Sequence, residues 1–311
     1  MRIAAFPKGY LTAIAVERTM TVYEWIDAAR TLGVDGLEMY TGFFTSTDAG
    51  EVARVTDAVH AAGFEMPMMC ASPDFAHPDP DVRAREIEQH AMYMRITREM
   101  GGPGAACRVV SGQRYPGVDV DEGVEWVVNA ITTLLPYAAE LGIALTIENH
   151  YKANGWTYPE FAQRPEVFHK ILGAIDDRVH FGVQFDPSNA ITAGVDSGDF
   201  LDTVIDRVIT MQASDRFLAP GHTLDELRES DGTLGYSPYL QHGVIGRGLN
   251  DYDRIFSTLV AHGYDGWISI EDGVNSFDEL QASADFLKDA RERWFGGSRD
   301  VRVAHWDTST L

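Results

Sequence analysis

Four stretches of this chain decide its fold: IALTIEN (143–149), VHFGVQFD (179–186), VITMQAS (208–214) and GWISIED (266–272). Each is an apolar run that reads as a β-strand, and each has an oxygen-bearing side chain near its end: Glu148, Asp186, Gln212 and Glu271. Parallel strands of a barrel bring their carboxyl ends to one rim, so these side chains are expected to converge. Carboxylates packed together repel one another and raise each other's pKa unless a cation lies between them. The pattern therefore predicts a metal site at the mouth of a barrel.

The same kind of strand recurs along the whole chain and alternates with helical segments, as in a parallel sheet with helical crossovers. The other strands are expected at Arg2–Phe6, Gly36–Tyr40, Glu65–Ala71 and Ala105–Ser111. Helices are expected at Val22–Leu32, Ala49–Ala62, Asp81–Met100, Glu122–Leu141, Pro165–Ile175, Phe200–Val204, Tyr252–His262 and Phe277–Phe295. Five of these helices end at a glycine, the residue that favours the turn back to a strand.

Eight strands and eight helices predict an α/β fold of the (β/α)₈ TIM-barrel type. An open Rossmann-type sheet is the main alternative, but no G-x-G-x-x-G motif follows the first strand. We expect residues 1–295 to form a single catalytic barrel domain and residues 296–311 to form a C-terminal tail.

Composition narrows the class of partner. The formal net charge of −22 at pH 7 argues against nucleic acid, which needs a basic face. The amino-terminal sequence lacks the pattern of a signal peptide, and the longest apolar stretch is interrupted by polar residues and Pro136, so no membrane span is expected. Cys70 and Cys107 fall in predicted strands and are expected to be reduced core residues. We expect a cytoplasmic protein.

The predicted metal ligands are Glu148, Asp186, Gln212 and Glu271, three carboxylates and one amide oxygen. Hard oxygen ligands of this kind suit Mn²⁺ best, with Mg²⁺ or Co²⁺ as alternatives, and they disfavour zinc. Salt bridging within an acidic protein is the structural alternative for the carboxylates, and satisfying buried backbone groups is the alternative for Gln212.

His150 stands two residues after Glu148, so both side chains are expected to face the barrel axis. A neutral imidazole beside a cation has a lowered pKa and can act as a base near neutral pH. The alternatives are a fifth metal ligand or a histidine in a structural hydrogen-bond network. If His150 is not the base, Glu148 and Glu271 are the other candidate catalytic residues.

Substrate contacts are expected on the long loops after strands three, five and seven: Ser72–Pro80, Tyr151–Arg164 and Ser214–Gly248. The loop after strand five carries Lys152 and the aromatic Trp156, which could stack on a sugar or aryl ring. Arg247 and His242 on the third loop could also contact substrate, with an ordinary surface location as the alternative.

These features resemble the sugar phosphate isomerase/epimerase superfamily, the xylose isomerase-like TIM barrels. Glu148, Asp186 and Glu271 match the metal ligands after strands five, six and eight of that superfamily, and GVIGRGLNDYDRIFSTLVAHGYDGWISIE (243–271) resembles its closing block. Gln212 stands where most members have a metal-binding histidine. Asn189 and Asn154 stand where ketose 3-epimerases commonly have a substrate-contacting histidine and a further glutamate.

The segments IENHYK (147–152) and WTYPEFAQ (156–163), together with Gln212, are most similar to the catalytic subunit of bacterial C-glycoside deglycosidases. This resemblance implies a lyase that cleaves the C–C bond of 3-oxo-C-glycosides. His150 would remove the C2 proton, the metal would stabilise the enolate, and the aglycone would leave by β-elimination. It also implies a smaller β-rich partner subunit and contact of Asn189 with the substrate. A divalent-metal-dependent ketose epimerase or isomerase, which shares the first half of this chemistry, is the alternative, and a non-catalytic sugar-binding barrel is a second one.

Overall fold

The computed structural model describes residues 1–153, 155–229 and 239–296. Asn154, part of the loop predicted after strand seven and nearly all of the predicted tail lie outside the described residues. The described strands are β1 Arg2–Ala5, β2 Gly36–Leu37, β3 Met39–Tyr40, β4 Met68–Cys70, β5 Ala106–Val109, β6 Ala144–Glu148, β7 Phe181–Phe185, β8 Val208–Ala213, β9 Arg216–Leu218, β10 Leu240–His242 and β11 Trp267–Ile270.

Nine of these strands form one parallel sheet, in the order β2, β1, β11, β8, β7, β6, β5, β4, β3. The order begins and ends on two pieces of one extended segment, since β2 and β3 are separated by Glu38 alone. β2 pairs with β1, and β3 pairs with β4, so the sheet closes on itself as a ring of eight strand positions. The predicted TIM barrel is confirmed, and its second strand, predicted as continuous, is interrupted.

Burial explains why the strands contain so many consecutive apolar residues. Every residue of β6 and of β7 is buried, without the alternation that a half-exposed strand shows. Both faces of a barrel strand are covered, one by the barrel interior and the other by helices. A polar side chain on such a strand must therefore find a partner inside the protein, which makes each one informative.

The described helices surround the sheet: α1 Leu11–Ala15, α2 Val22–Ala29, α3 Ala49–Ala61, α4 Pro80–Gly101, α5 Val120–Leu141, α6 Pro165–Gly173, α7 Pro187–Thr192, α8 Ser197–Val204, α9 Leu224–Glu229, α10 Tyr252–Ala261 and α11 Phe277–Ala290. The glycine after α5 shows why these helices stop where they do. Gly142 adopts the left-handed conformation, with φ of 61°, and its N–H bonds back to Ala138 and Ala139.

The sequence prediction was wrong at several elements. It missed α1 and α7, two short helices that come after β1 and β7 in the chain. It began α8 at Phe200, whereas Asp196 caps the helix through its side chain and the helix starts at Ser197. It treated 214–248 as one loop, but β9 and β10 pair there as antiparallel strands, and α9 lies between them in the chain.

Both cysteines are buried and unpaired, in agreement with the sequence prediction. Within the described ranges, none of the helices combines the length and the apolar character that a membrane crossing requires.

Candidate metal centre and active site

Three carboxylates from three different strands meet at the carboxyl rim of the barrel. Glu148 ends β6, Asp186 follows β7, and Glu271 follows β11. One oxygen of each can be chosen so that all three lie within 4.8 Å of one another, and all three residues are buried. The strand ends thus bring together side chains that are far apart along the chain: Asp186 follows Glu148 by 38 residues, and Glu271 follows Asp186 by 85.

An asparagine holds two of these strand ends together. Asn149 points away from the cluster, and its amide donates to the Asp186 carbonyl at 2.7 Å. The Asp186 N–H donates back to the Asn149 side-chain oxygen at 2.9 Å. Both bonds are buried, so they fix the position of Asp186 relative to the end of β6.

Two cations, neither of which was predicted, compensate the carboxylates: Arg108, which is buried, and Lys8, which is partly buried. Arg108 on β5 donates from Nη1 to Glu148 Oε2 at 2.6 Å, and it also bonds Ser72 Oγ at 3.0 Å. Lys8 Nζ lies 2.7 Å from Glu271 Oε1. The sequence did contain a clue to each of them. Arg108 is a charged residue inside the apolar run ACRVV (106–110), and Lys8 comes shortly after the first predicted strand.

The pKa values show that the two cations do not fully balance three carboxylates. Burial, followed by the charges of Glu271 and Glu148, raises the pKa of Asp186 well above its usual value. Burial acts in the same direction on Glu271, but Lys8 outweighs it and lowers the pKa of Glu271 to about 2. Of this pair, Asp186 is therefore the carboxyl group that ionises less readily.

Gln212 on β8 is oriented by another buried carboxyl group that was not predicted. Its Nε2 donates to Glu38 Oε2 at 2.6 Å and to Cys70 Sγ at 3.6 Å. Burial raises the pKa of Glu38 to about 8. Since Glu38 fixes the amide nitrogen, the amide oxygen points elsewhere, and this buried Oε1 accepts no hydrogen bond from the described residues.

The donor set fits a divalent cation. A buried oxygen without a hydrogen bond is costly, and a cation would satisfy the Oε1 of Gln212. The carboxylates of Glu148, Asp186 and Glu271 would supply the remaining protein oxygens, and such all-oxygen sets suit Mn²⁺ or Mg²⁺. A cation would also lower the pKa of Asp186, because its charge stabilises the ionised carboxylate.

Above the carboxylates lies a cavity of about 520 Å³, within the range of small-molecule sites, roughly 300–1,000 Å³. Lys8, Arg108 and Glu271 line it together with His150, Lys152, Trp156 and His242. The rings of Trp156 and His150 meet edge to face, with their centroids 6.4 Å apart. His242 Nδ1 lies 3.3 Å from Asp272 Oδ1 on the β11 side of the cavity.

His150 is buried at the cavity wall with 8% of its surface exposed. Burial, helped by the positive charges of Arg108 and Lys8, lowers the pKa of His150 to about 4, although Glu148 acts in the opposite direction. The imidazole is therefore neutral near neutral pH. Its Nδ1 faces Glu160 Oε2 at 3.2 Å, a contact that the sequence did not predict.

The predicted substrate-binding residues divide into two groups. Trp156 and Lys152 line the cavity. Asn189 is buried in α7 and donates from Nδ2 to Glu148 Oε1 at 2.9 Å, so it contacts a carboxylate of the cluster rather than the cavity. Arg247 is exposed and lies outside the cavity lining. Asn154, predicted as a departure from epimerases, lies outside the described residues.

Residues 26–290 match the family described as Xylose isomerase-like TIM barrel. The chain belongs to this family, the superfamily of sugar phosphate isomerases and epimerases, as the strand-end residues predicted.

Among curated proteins, an inosose dehydratase from Bacillus velezensis is 26% identical over 203 residues. The match covers 60% of this chain and 62% of that protein, which is less than two thirds of its length.

Solved structures share the fold. The 3-keto-D-glucoside 4-epimerase YcjR from E. coli superposes with a TM-score of 0.64 at 16% identity, covering 94% of this chain and 99% of that one. The IOLI protein with a bound zinc atom gives a TM-score of 0.71 at 13% identity, covering 96% and 100%.

Metal binding should stabilise the fold through the carboxylates. We expect Mn²⁺ to raise the melting temperature of the chelator-treated protein, since a ligand at a hundredfold excess over its Kd contributes about 2.7 kcal/mol. In Glu271→Gln the Mn²⁺-dependent rise should be largely lost. The measurement is differential scanning fluorimetry with and without Mn²⁺ for each variant, so that differences in basal stability cancel.

Glu166→Gln, at an exposed glutamate in the first turn of α6, is the matched control and should respond as wild type does. An equal Mn²⁺-dependent rise in Glu271→Gln and in wild type would show that the metal binds elsewhere.

Proposed function

We propose that this protein is a metal-dependent carbon–carbon lyase that cleaves 3-oxo-C-glycosides. The observation that carries the proposal is a neutral histidine beside a carboxylate cluster whose own oxygens are already occupied. Glu148 accepts bonds from Arg108 and from Asn189, and Glu271 is paired with Lys8. Glu148 is not among the residues that line the cavity, and Glu271, which does line it, is a weak base because Lys8 outweighs burial and lowers its pKa to about 2. His150 is therefore the stronger base facing the cavity.

The role of each residue follows from its place around the cavity. A divalent cation, when bound, would act as a Lewis acid that makes the proton beside a sugar ketone more acidic. His150 would take the proton from C2 of a sugar oxidised at C3. Lys8 and Arg108 place positive charge at the cavity wall, where negative charge develops on the ketone oxygen. The electron pair then forms the C1–C2 double bond as the C1–aglycone bond breaks, and the aglycone carbon gains a proton.

The size and lining of the cavity support a substrate larger than a free sugar. Trp156 and Tyr151 provide aromatic surface beside His150, and an aryl aglycone can pack against such rings. A structural relative, YcjR, is a 3-keto-D-glucoside 4-epimerase, so a barrel of this shape accommodates a sugar oxidised at C3.

A divalent-metal-dependent ketose epimerase or isomerase is the second candidate function. It shares proton removal beside a ketone but returns the proton instead of losing the aglycone. The fold itself favours neither function, because relatives of this shape carry out several reactions. The occupied oxygens of Glu148 and Glu271 favour the lyase, since an epimerase needs a second base on the opposite face of the sugar.

Removing the imidazole should stop proton abstraction without removing the metal. We expect His150→Ala to lower the rate of C2-proton exchange in a 3-oxo-C-glucoside by about 10²–10⁴-fold, the usual contribution of a general base. The measurement is NMR of the Mn²⁺-loaded protein with substrate in D₂O, with aglycone release followed in parallel. His262→Ala, at an exposed histidine after α10, is the control.

Exchange at the wild-type rate in His150→Ala would exclude His150 as the base. Epimerisation of free ketohexoses by the wild-type protein at ordinary enzyme rates, with no aglycone released, would favour the second function.

The lyase proposal includes a smaller β-rich partner subunit. The rim region formed by β9, β10 and α9 exposes two large apolar side chains, Phe217 at 41% and Leu224 at 39%. Exposed apolar groups beside an active site are typical of interaction surfaces. We expect low lyase activity for the isolated chain and a gain on co-expression with the product of a neighbouring small open reading frame.

The double variant Phe217→Ser with Leu224→Ser should lose most of that gain while retaining the activity of the isolated chain. A fully active homo-oligomer that gains nothing from a partner would contradict this proposal.

A further inference from the structure

His150 forms a buried pair with a carboxylate, Glu160, that has no part in the proposed reaction so far. Its Nδ1 lies 3.2 Å from Oε2 of Glu160, whose side chain is completely buried. Glu160 lies ten residues further along the chain, on the loop that also carries Trp156. With Nδ1 directed at Glu160, Nε2 is the ring nitrogen left for the cavity that His150 lines.

Ser111 donates two hydrogen bonds to one oxygen of Glu160 and leaves the other oxygen facing His150. Glu160 Oε1 accepts the Ser111 backbone N–H at 2.6 Å and the Ser111 hydroxyl at 2.5 Å. The hydroxyl oxygen itself accepts the Ala162 N–H at 2.9 Å, so its own proton is free to point to Glu160. Two donors on Oε1 favour the ionised carboxylate and leave Oε2 as an acceptor for a proton on His150 Nδ1.

Burial and hydrogen bonding act in opposite directions on Glu160. The net effect raises the pKa of Glu160 to about 8: burial is the largest cause, and both hydrogen bonds from Ser111 and the charge of Arg108 oppose it without outweighing it. The 3.2 Å contact between Nδ1 and Oε2 fits two proton arrangements, which differ in the nitrogen of His150 that is left unprotonated. A protonated Glu160 would have to donate from Oε2 to Nδ1, and His150 would then carry its proton on Nε2 and could not accept one there.

The backbone around Glu160 is fixed as firmly as its side chain. The Glu160 N–H donates to the Tyr151 carbonyl at 2.8 Å, and the Phe161 N–H donates to the Gly112 carbonyl at 2.7 Å. These bonds tie the returning loop to the residue after His150 and to the end of the β5 segment. The carboxylate therefore has a fixed position from which to hold the imidazole ring.

We propose that Glu160 is a positioning residue that holds His150 in the Nδ1–H tautomer and presents an unprotonated Nε2 to the substrate. The consequence for catalysis rests on the proposed function, in which His150 is the base. The choice of tautomer rests on it as well, because only the Nδ1–H form leaves Nε2 able to accept a proton, whereas the contacts that hold the ring do not depend on the function.

Glu160→Gln is the sharpest test because it preserves shape and inverts the proton pattern. The introduced amide has one acceptor oxygen, which the two Ser111 donors would occupy, so its NH₂ group would face Nδ1 and donate to it. His150 would then carry its proton on Nε2, the nitrogen needed as a base. In a histidine–carboxylate pair, such an amide replacement keeps the geometry but gives the wrong tautomer.

The tautomer can be measured without any substrate. The protein has ten histidines, and the ring signals of His150 in nitrogen-15-labelled protein can be assigned by their loss in His150→Asn. Long-range nitrogen–proton NMR correlations should show protonated Nδ1 in wild type and protonated Nε2 in Glu160→Gln. Glu166→Gln should be identical to wild type.

Kinetics provide the second measurement. In Glu160→Gln we expect kcat for aglycone release to fall on the order of 10²-fold or more with KM within about twofold, because binding is unchanged while the base is lost. A structural role alone would change stability or KM instead. Protonated Nε2 in wild-type His150, or an unchanged tautomer in Glu160→Gln, would overturn the proposal. If the tautomer shifts as expected but wild type releases no aglycone, the proposed function fails and the positioning role stands.

Discussion

The active-site end of this barrel depends on how three buried carboxylates are neutralised. Glu148, Asp186 and Glu271 approach within 4.8 Å of one another in a region from which water is largely excluded. Like charges in such surroundings are strongly unfavourable unless they are paired. Arg108 and Lys8 supply two positive charges for three carboxyl groups, and burial, together with the charges of Glu271 and Glu148, raises the pKa of the third, Asp186. The protein therefore keeps its ligands in place while leaving one unit of negative charge for a cation to balance.

This arrangement separates ligand chemistry from base chemistry. Asn189 and Arg108 occupy both oxygens of Glu148, so that carboxylate is held in one orientation. His150 lies two residues further on, outside the carboxylate cluster, with its own carboxylate partner in Glu160. The cavity therefore has a neutral base, His150, beside carboxylates whose charge is largely compensated. Proton removal beside a sugar ketone requires this combination.

The parts of the site that local sequence determines were predictable, and the parts that depend on long-range pairing were not. The barrel followed from buried strands of regular spacing, and the carboxylates followed from their places at strand ends. Lys8 is 263 residues from Glu271 and Glu38 is 174 residues from Gln212, and no local pattern connects such partners. Asn189 was predicted to contact substrate because it stands where ketose 3-epimerases commonly have a substrate-contacting histidine. The short helix α7, which the sequence prediction missed, instead carries its side chain to Glu148. Arg247 was selected for its place in a glycine-rich loop, a feature that says little about which way a side chain points.

The proposed cation site consists of the three carboxylates and Gln212 Oε1. Anomalous diffraction at the manganese edge, on crystals grown with Mn²⁺, locates a bound ion. We expect one strong peak in contact with Glu148, Asp186 and Glu271, with the Gln212 amide oxygen turned toward it and its nitrogen still bound to Glu38. If no peak lies at the carboxylates, and Arg108 and Lys8 are still paired to them at saturating Mn²⁺, these side chains do not form a cation site.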